Sequence, residues 1–460
     1  MPDSYMRGTP ETSKNPYAFY DHLRAEGIKV YWDSEAGVFQ LLDYKLLSEV
    51  AISHEFSSAM VAGTSVPIWE AARNPAAIRR RQPSESGLDK AYADLVAYLA
   101  QVADAVNAGA RTEPVPGRAR ELIRAYESAS GVLLLGQEGP VHVEHRRMVN
   151  RWLTPRWVAS WEEPTRRVAR DLIEKFPADG HVEFMSMFAG PLPGIIISDV
   201  MGVPRNENDV FMLYMHNAVG NPAYIRGKAP ADEVAHMREQ SAAEVNWVSK
   251  AIQERKKCPG DDLISKFVSA RRSDGCPIPD DSIIGAITLI VAGGQETTAK
   301  TLTNSMWMLL QRPDVEAELR ADPSLIPAFI DEVLRFQSPV QGMMRVALSD
   351  VEFDGVAIPA GSQVQLTFGA ANRDPTFYPH ANDFDIHRSN LLDHAAFGKG
   401  PHTCPGRSLA RLEMRIAWEE LLKRYSSIKL GRENTIDSVP FFTSNVLRGV
   451  RKIWVDFSPT

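Results

Sequence analysis

Cysteine is scarce in this chain: three residues among 460, Cys258, Cys276 and Cys404. Their spacings match neither a zinc site nor a disulfide framework, which suits a reducing compartment. Runs of about 18 or more apolar residues are missing, so no stretch reads as a membrane span, and the polar start MPDSYMRGTPETSKN has no signal-peptide core. A cytoplasmic protein with no membrane partner is the expectation. Positive charge is not in excess either. The balance of 51 Lys+Arg against 58 Asp+Glu leaves a net charge of −7, which argues against nucleic acid as a general partner. No repeat of roughly 20 to 50 residues and no low-complexity tract occurs, which excludes solenoids and arrays.

What is present is mostly helical patterning. Asn15 to Gly27 has helical character through Tyr17, Phe19, Tyr20 and Leu23, and short strand-like runs follow at Ile28–Trp32 and Val38–Leu42. Further helical patterns cover Trp157–Phe176, Met187–Met201, Asp209–Val219, Asp232–Lys256, Asp261–Arg271 and Leu325–Phe336, with Pro- and Gly-bearing joints between several of them. Asp350–Val364 alternates and turns at Gly355 and Gly361, a small β region. Length alone permits one large domain or two to three ordinary ones.

Two stretches ask for a chemical reason. Asp281 to Leu310 reads as one long apolar helix, yet Gly293-Gly294 sits in its middle, at a cost of roughly 2 kcal/mol relative to alanine. A flat ligand passing against the backbone would account for that cost, and Glu296 and Thr297 put an acid and an alcohol at the same level. The other stretch is Phe397-Gly398-Lys399-Gly400-Pro401-His402-Thr403-Cys404-Pro405-Gly406, a glycine-jointed loop that holds Cys404 at the entrance to a helix starting near Arg407. A helix start aims its positive end at the sulfur and favours thiolate, a metal ligand. A buried cysteine in an ordinary turn is the alternative.

That loop fits Phe-x-x-Gly-x-His-x-Cys-x-Gly and so resembles the haem-binding signature of the cytochrome P-450 family at every fixed position. Ala-Gly-Gly-Gln-Glu-Thr-Thr, ending at Thr298, resembles the family's Gly-x-Glu/Asp-Thr motif, where the helix is notched to admit dioxygen. Glu332-x-x-Arg335 and Phe384-Asp385-Ile386-His387-Arg388 resemble its structural ion triad. The resemblance covers nearly the whole chain outside 59–131.

It implies a mostly α, single large domain with a small β region and a long central helix over haem. Cys404 would be the axial thiolate on haem b, with Phe397 beside the sulfur and Gly293 and Gly294 making room for the macrocycle. His142 and Arg146, one helical turn apart, would hold the haem carboxylates together with Arg345 and His402. Glu296 and Thr297 would relay protons to dioxygen, and Glu332, Arg335 and Arg388 would pin the support of the cysteine loop. The activity implied is a monooxygenase acting on a small to medium apolar substrate, with electrons from a separate ferredoxin or flavodoxin. Candidate substrate contacts are Ile290, Val340, Met343, Met344, Phe441 and Phe442. A peroxide-driven peroxygenase and a non-catalytic haem sensor are the rival readings. The basic run Arg147, Arg151 and Arg156, with Lys399, Arg407 and Arg411, is the expected landing surface for the electron donor.

Residues 59–131 make an enlarged segment compared with a compact member. Leu88, Tyr92, Leu95, Leu99, Val102 and Val106 give it an amphipathic helix, either an extra helix packed on the body or a lid or docking helix. Arg79, Arg80 and Arg81 precede it.

Overall fold

Apolar spacing decides where most elements fall. In the computed structural model the described residues are 14–34, 36–58, 88–109, 117–123, 134–207, 231–442 and 446–460. The chain runs α1 (Tyr17–Ala25), β1 (Val30–Asp33), β2 (Val38–Leu41), α2 (Tyr44–Ile52), β3 (Phe56–Ser57), α3 (Leu88–Asn107), α4 (Gly139–Asn150), α5 (Glu162–Ile173), β4 (His181–Glu183), α6 (Pro191–Met201) and α7 (Ala231–Lys257). It continues through α8 (Leu263–Ser269), α9 (Asp280–Leu309), α10 (Pro313–Ala321), α11 (Ile326–Phe336), β5 (Met343–Ala347), β6 (Val351–Phe353), β7 (Val356–Ile358), β8 (Gln363–Leu366), α12 (Arg407–Arg424), β9 (Tyr425–Leu430) and β10 (Trp454–Pro459). The fold is mostly α with small sheets, as the residues imply.

Local chemistry sets the boundaries. α1 buries Tyr17, Phe19, Tyr20 and Leu23, the residues whose spacing predicts it. The Asp43 carboxylate caps α2 by accepting from the Leu46 N–H at 2.8 Å. The pattern over Trp157–Phe176 divides into a short helix, Pro155–Ala159, and α5, which takes Pro164 in its first turn where a missing N–H costs nothing. The pattern over Asp261–Arg271 shortens to α8, because Asp262 becomes its cap and Arg271 leaves the helix to bridge Pro277. Asp209–Val219 lies outside the described residues, as do Arg79, Arg80 and Arg81.

The helical body packs around α9. Ile287, Val291, Leu302 and Met306 of α9 share one core with Ile196 of α6, Phe329 and Val333 of α11, and Trp418 and Leu421 of α12. Beside it lies a five-stranded sheet of order β1-β2-β8-β5-β3, in which only the β2–β8 pair is parallel. α3 lies against this sheet. Gly361, at φ +87, lets the Tyr98 ring approach so closely that a Cβ there would stand 2.6 Å from it, and Trp32 Nε1 donates to Asn107 Oδ1 at 3.0 Å.

Candidate active site

The cysteine loop is a tight construction on the end of α2. Gly398 and Gly400 take φ of 73 and 68, and a Cβ on Gly400 would stand 2.7 Å from the Ala51 carbonyl oxygen. The Cys404 N–H donates to the Phe397 carbonyl at 2.7 Å, closing the loop. α12 starts at Arg407 with Gly406 as its cap, so Pro405 stands in the turn before the helix and not in its first turn. Around the sulfur, burial is the largest influence and pushes the Cys404 thiol up; the N–H groups of Gly406 and Arg407 and the charges of Arg146 and Arg407 pull the other way. The helix start thus favours the thiolate, in the direction expected from sequence, while burial opposes it and is the larger influence. Coordination to a metal deprotonates such a thiol outright.

Basic groups from three segments, α4, β5 and the loop itself, gather here. His142 on α4 stacks on His402, with ring centroids 4.2 Å apart. Burial, then the neighbouring His402, lowers the His142 pKa to about 4, so its ring is neutral at pH 7. Its Nε2 is buried without a hydrogen-bond partner among the described residues. His402 Nε2 lies 3.1 Å from Ser58 Oγ and 3.3 Å from Glu138 Oε1. Burial works to raise the Glu138 pKa, but hydrogen bonds from His402 and Ser58 outweigh it and hold the carboxyl at about 2. Arg345 comes from β5, is buried, and donates through Nη1 to the Met344 carbonyl at 2.8 Å. Burial lowers its pKa, with Glu138 as the opposing charge. Arg146 Nη2 donates to the Thr403 carbonyl.

His142, Arg146, Arg345 and His402 are thus brought into one neighbourhood. An orphaned imidazole nitrogen and a deeply buried guanidinium, both near the Glu138 charge, suit a cofactor edge bearing carboxylates, since buried donors are otherwise costly. Glu138 and Ser58 belong to the same cluster. Sequence reasoning passed over Glu138, whose only local signal is its place just before α4.

α9 carries the acid and the alcohol. The helix runs unbroken from Asp280 to Leu309 with Gly293-Gly294 inside it, within a residue at each end of the single long helix expected from sequence. The two glycines do different work. A Cβ on Gly294 would stand 3.4 Å from Ile197 Cδ1, an ordinary helix contact, whereas a Cβ on Gly293 would meet nothing within 4 Å. Gly293 is exposed between half-buried neighbours, so its backbone borders open space. Thr297 Oγ1 donates to the Gly293 carbonyl at 2.7 Å, a back-bond that bends helices slightly without breaking them. Glu296 accepts from Lys300 Nζ one turn further on.

The ion triad is fully formed and fully enclosed. Glu332 and Arg335 are both 0% exposed and meet in a bidentate pair, each N–O distance 2.7 Å. Arg388 Nε reaches Glu332 Oε1 at 3.2 Å, and the Asp385 N–H donates to the same oxygen at 2.8 Å. Arg335 also donates to the carbonyls of Asn372, Ala381 and Asp383. The network therefore ties α11 to the 372–388 stretch ahead of the cysteine loop. A second link escaped the sequence reading: Asp331 Oδ1 lies 3.1 Å from His394 Nε2 and 2.7 Å from Arg411 Nη2, joining α11, the loop and α12.

That link changes the reading of the basic face. Arg411 is drawn to Asp331 and lies over the Phe397 ring at 4.7 Å, and Lys399 donates to the Asp393 carbonyl at 2.5 Å. Both charges are used inside the protein. Arg407 remains exposed.

The substrate candidates separate by strand alternation. Met343 packs with the sheet core on the same side of β5 as Arg345, while Met344 points the other way, against the cluster of Tyr17, Phe19 and Tyr20. Phe441 is buried edge-on against Trp307, with Arg448 over its ring, whereas Phe442 lies under the Lys300 ammonium at 4.1 Å. Val340 is 8% exposed in the sheet core, and Ile290 is partly buried on α9. Thr443 and Ser444 fall outside the described residues.

Comparison with known proteins agrees with this arrangement. Residues 228–448 match the family model described as cytochrome P-450. The chain is 32% identical over 328 residues to a steroid C26-monooxygenase of Mycobacterium tuberculosis, covering 71% of this chain and 86% of that protein. It is 34% identical over 308 residues to a biotin biosynthesis cytochrome P-450 of Bacillus subtilis, covering 66% and 76% of the two chains. A solved structure of a substrate-free cytochrome P-450 from Mycobacterium marinum superposes with a TM-score of 0.76 at 27% identity, over 99% of this chain and 100% of that one. With the loop around Cys404, the long helix α9 and this extent of similarity in hand, the chain belongs to the cytochrome P-450 family and is a monooxygenase.

Proposed function

We propose that this monooxygenase hydroxylates or epoxidises a small to medium apolar organic molecule, with haem b held through Cys404 and electrons delivered by a separate ferredoxin or flavodoxin. The reading takes the whole chain as one catalytic domain and 59–131 as an enlarged segment within it. Contacts of Tyr98 with Gly361 and Asn107 with Trp32 support α3 as an extra packed helix. A cytoplasmic location fits three free cysteines. No helix among the described residues is long and apolar enough to cross a membrane.

When bound, thiolate-ligated haem supplies the reductive cleavage of dioxygen, which electron donation from the sulfur favours. The chain's own residues do the rest. His142, Arg146, Arg345 and His402 hold the carboxylate edge, and the unpartnered His142 Nε2 is the atom such an edge would satisfy. Phe397 shields the sulfur from water. Glu296 takes protons from solvent and Thr297 hands them to the oxygen substrate: one substrate C–H, dioxygen, two electrons and two protons become alcohol and water. Ile290, Met343 and Phe442 form the apolar lining, narrowed from six candidates by strand alternation and burial. The steroid C26-monooxygenase name of one relative makes steroids the first molecules to try.

The observation that carries the reading is the Glu296-Thr297 pair beside the open backbone of Gly293. Turnover is expected to require dioxygen, a reductant and an added redox protein together. Equal product from hydrogen peroxide alone, with dioxygen and reductant absent, would favour the peroxygenase instead. A haem sensor would give no product in either arm. Candidate substrates are screened by the change of iron spin state on binding.

A further inference from the structure

Lysine is almost never fully buried, yet Lys300 is 1% exposed near the middle of α9. Its ammonium has one charged neighbour among the described residues, Glu296, to which Nζ donates. The Phe442 ring covers the ammonium at 4.1 Å, and Gly449 comes so close that a Cβ there would stand 2.6 Å from Lys300 Cβ and Cγ. The loop after α12 and β9 is therefore built around this side chain. Glu296 is 27% exposed, so one end of the pair meets water while the other is sealed from it.

A buried ammonium needs a partner, since an unpaired charge in an apolar setting costs several kcal/mol. The same need acts on Glu296. Lys300 grips Oε1, which anchors one carboxylate oxygen and leaves Oε2 to accept from solvent. On an exposed helix face a Glu–Lys pair one turn apart is worth little. Covered by Phe442 and Gly449, it is poorly screened and restricts where the carboxylate can swing.

We propose that Lys300 is the positioning residue for proton delivery: it fixes the orientation of Glu296, and Phe442 seals that contact from water. The proposal rests on the reading of Glu296 as the proton carrier, and the experiment separates the two. Lys300→Met keeps the aliphatic stem that packs on Gly449 and removes the charge. In the holoenzyme with a substrate found by spin-state screening, it is expected to raise hydrogen peroxide released per product by on the order of tenfold. Glu296→Gln should do the same, and the double variant should be no worse than Glu296→Gln alone, because the lysine acts through the glutamate.

A second readout needs no turnover. The carbon monoxide stretching frequency of the reduced, liganded protein senses charge near the bound gas, and Lys300→Met should shift it. If Glu296→Gln uncouples while Lys300→Met leaves both coupling and stretch unchanged, the lysine proposal is wrong and the proton-carrier reading stands. Additive losses in the double variant also overturn it. If Glu296→Gln itself leaves coupling unchanged, the carrier reading fails and the proposal falls with it. Should Lys300→Met not accumulate, Lys300→Gln, which removes the charge and keeps a donor, carries the same comparisons.

Discussion

Arg335→Ala is expected to yield protein that does not hold haem. Arg335 and Glu332 are both 0% exposed, and the guanidinium donates to two carboxylate oxygens and three backbone carbonyls. Deleting it leaves Glu332 buried with Arg388 as its remaining ionic partner and removes the Arg335 donors from the carbonyls of Asn372 and Ala381, while the Asp383 carbonyl keeps its bond from Arg388. Breaking a buried pair in this way costs about 3–5 kcal/mol, a large part of the roughly 5–15 kcal/mol that holds a domain together. The loss falls on the 372–388 stretch, which leads into the cysteine loop. Haem content per chain and the urea midpoint measure it. Arg335→Lys should be intermediate, since an ammonium keeps the charge and loses the fork. Normal haem content in Arg335→Ala would show that the triad does not support the loop.

Thr297→Ala is expected to fold and bind haem normally while sending most of its electrons to hydrogen peroxide. Its only described hydrogen bond from the hydroxyl goes to the Gly293 carbonyl, and alanine is a better helix former, so stability changes little. Without the hydroxyl, proton transfer to the oxygen substrate loses a positioned donor, a loss on the order of 100-fold in product formation. Product and hydrogen peroxide counted per reductant consumed give the answer. Unchanged coupling would remove Thr297 from the relay.

Local pattern made some of this legible and left the rest hidden. The cysteine loop, α9 and the Glu332–Arg335 pair depend on residues close in sequence, where glycine placement, apolar period and helical spacing speak directly. Contacts between distant segments have no such signal. Glu138 meets His402, and Asp331 meets His394 and Arg411, only because the fold brings them together. Lys300 lies one turn from Glu296 in the sequence, a spacing common on exposed helices, and nothing local reveals that Phe442 and Gly449 bury it. Met343 and Met344 show the opposite error: adjacent residues look alike as candidates until a strand sends them to opposite faces. The glycine pair in α9 is legible as a place needing a reason, and the fold shows that the two differ: Gly294 packs on Ile197 while Gly293 meets no described neighbour.

Cys404 as the thiolate ligand of a haem iron is the role on which the proposed chemistry depends. The direct measurement is the absorption spectrum of the purified holoprotein reduced under carbon monoxide. A strongly red-shifted Soret band, lost in Cys404→Ser, is the predicted result; an unshifted band from folded, haem-loaded protein would contradict the account.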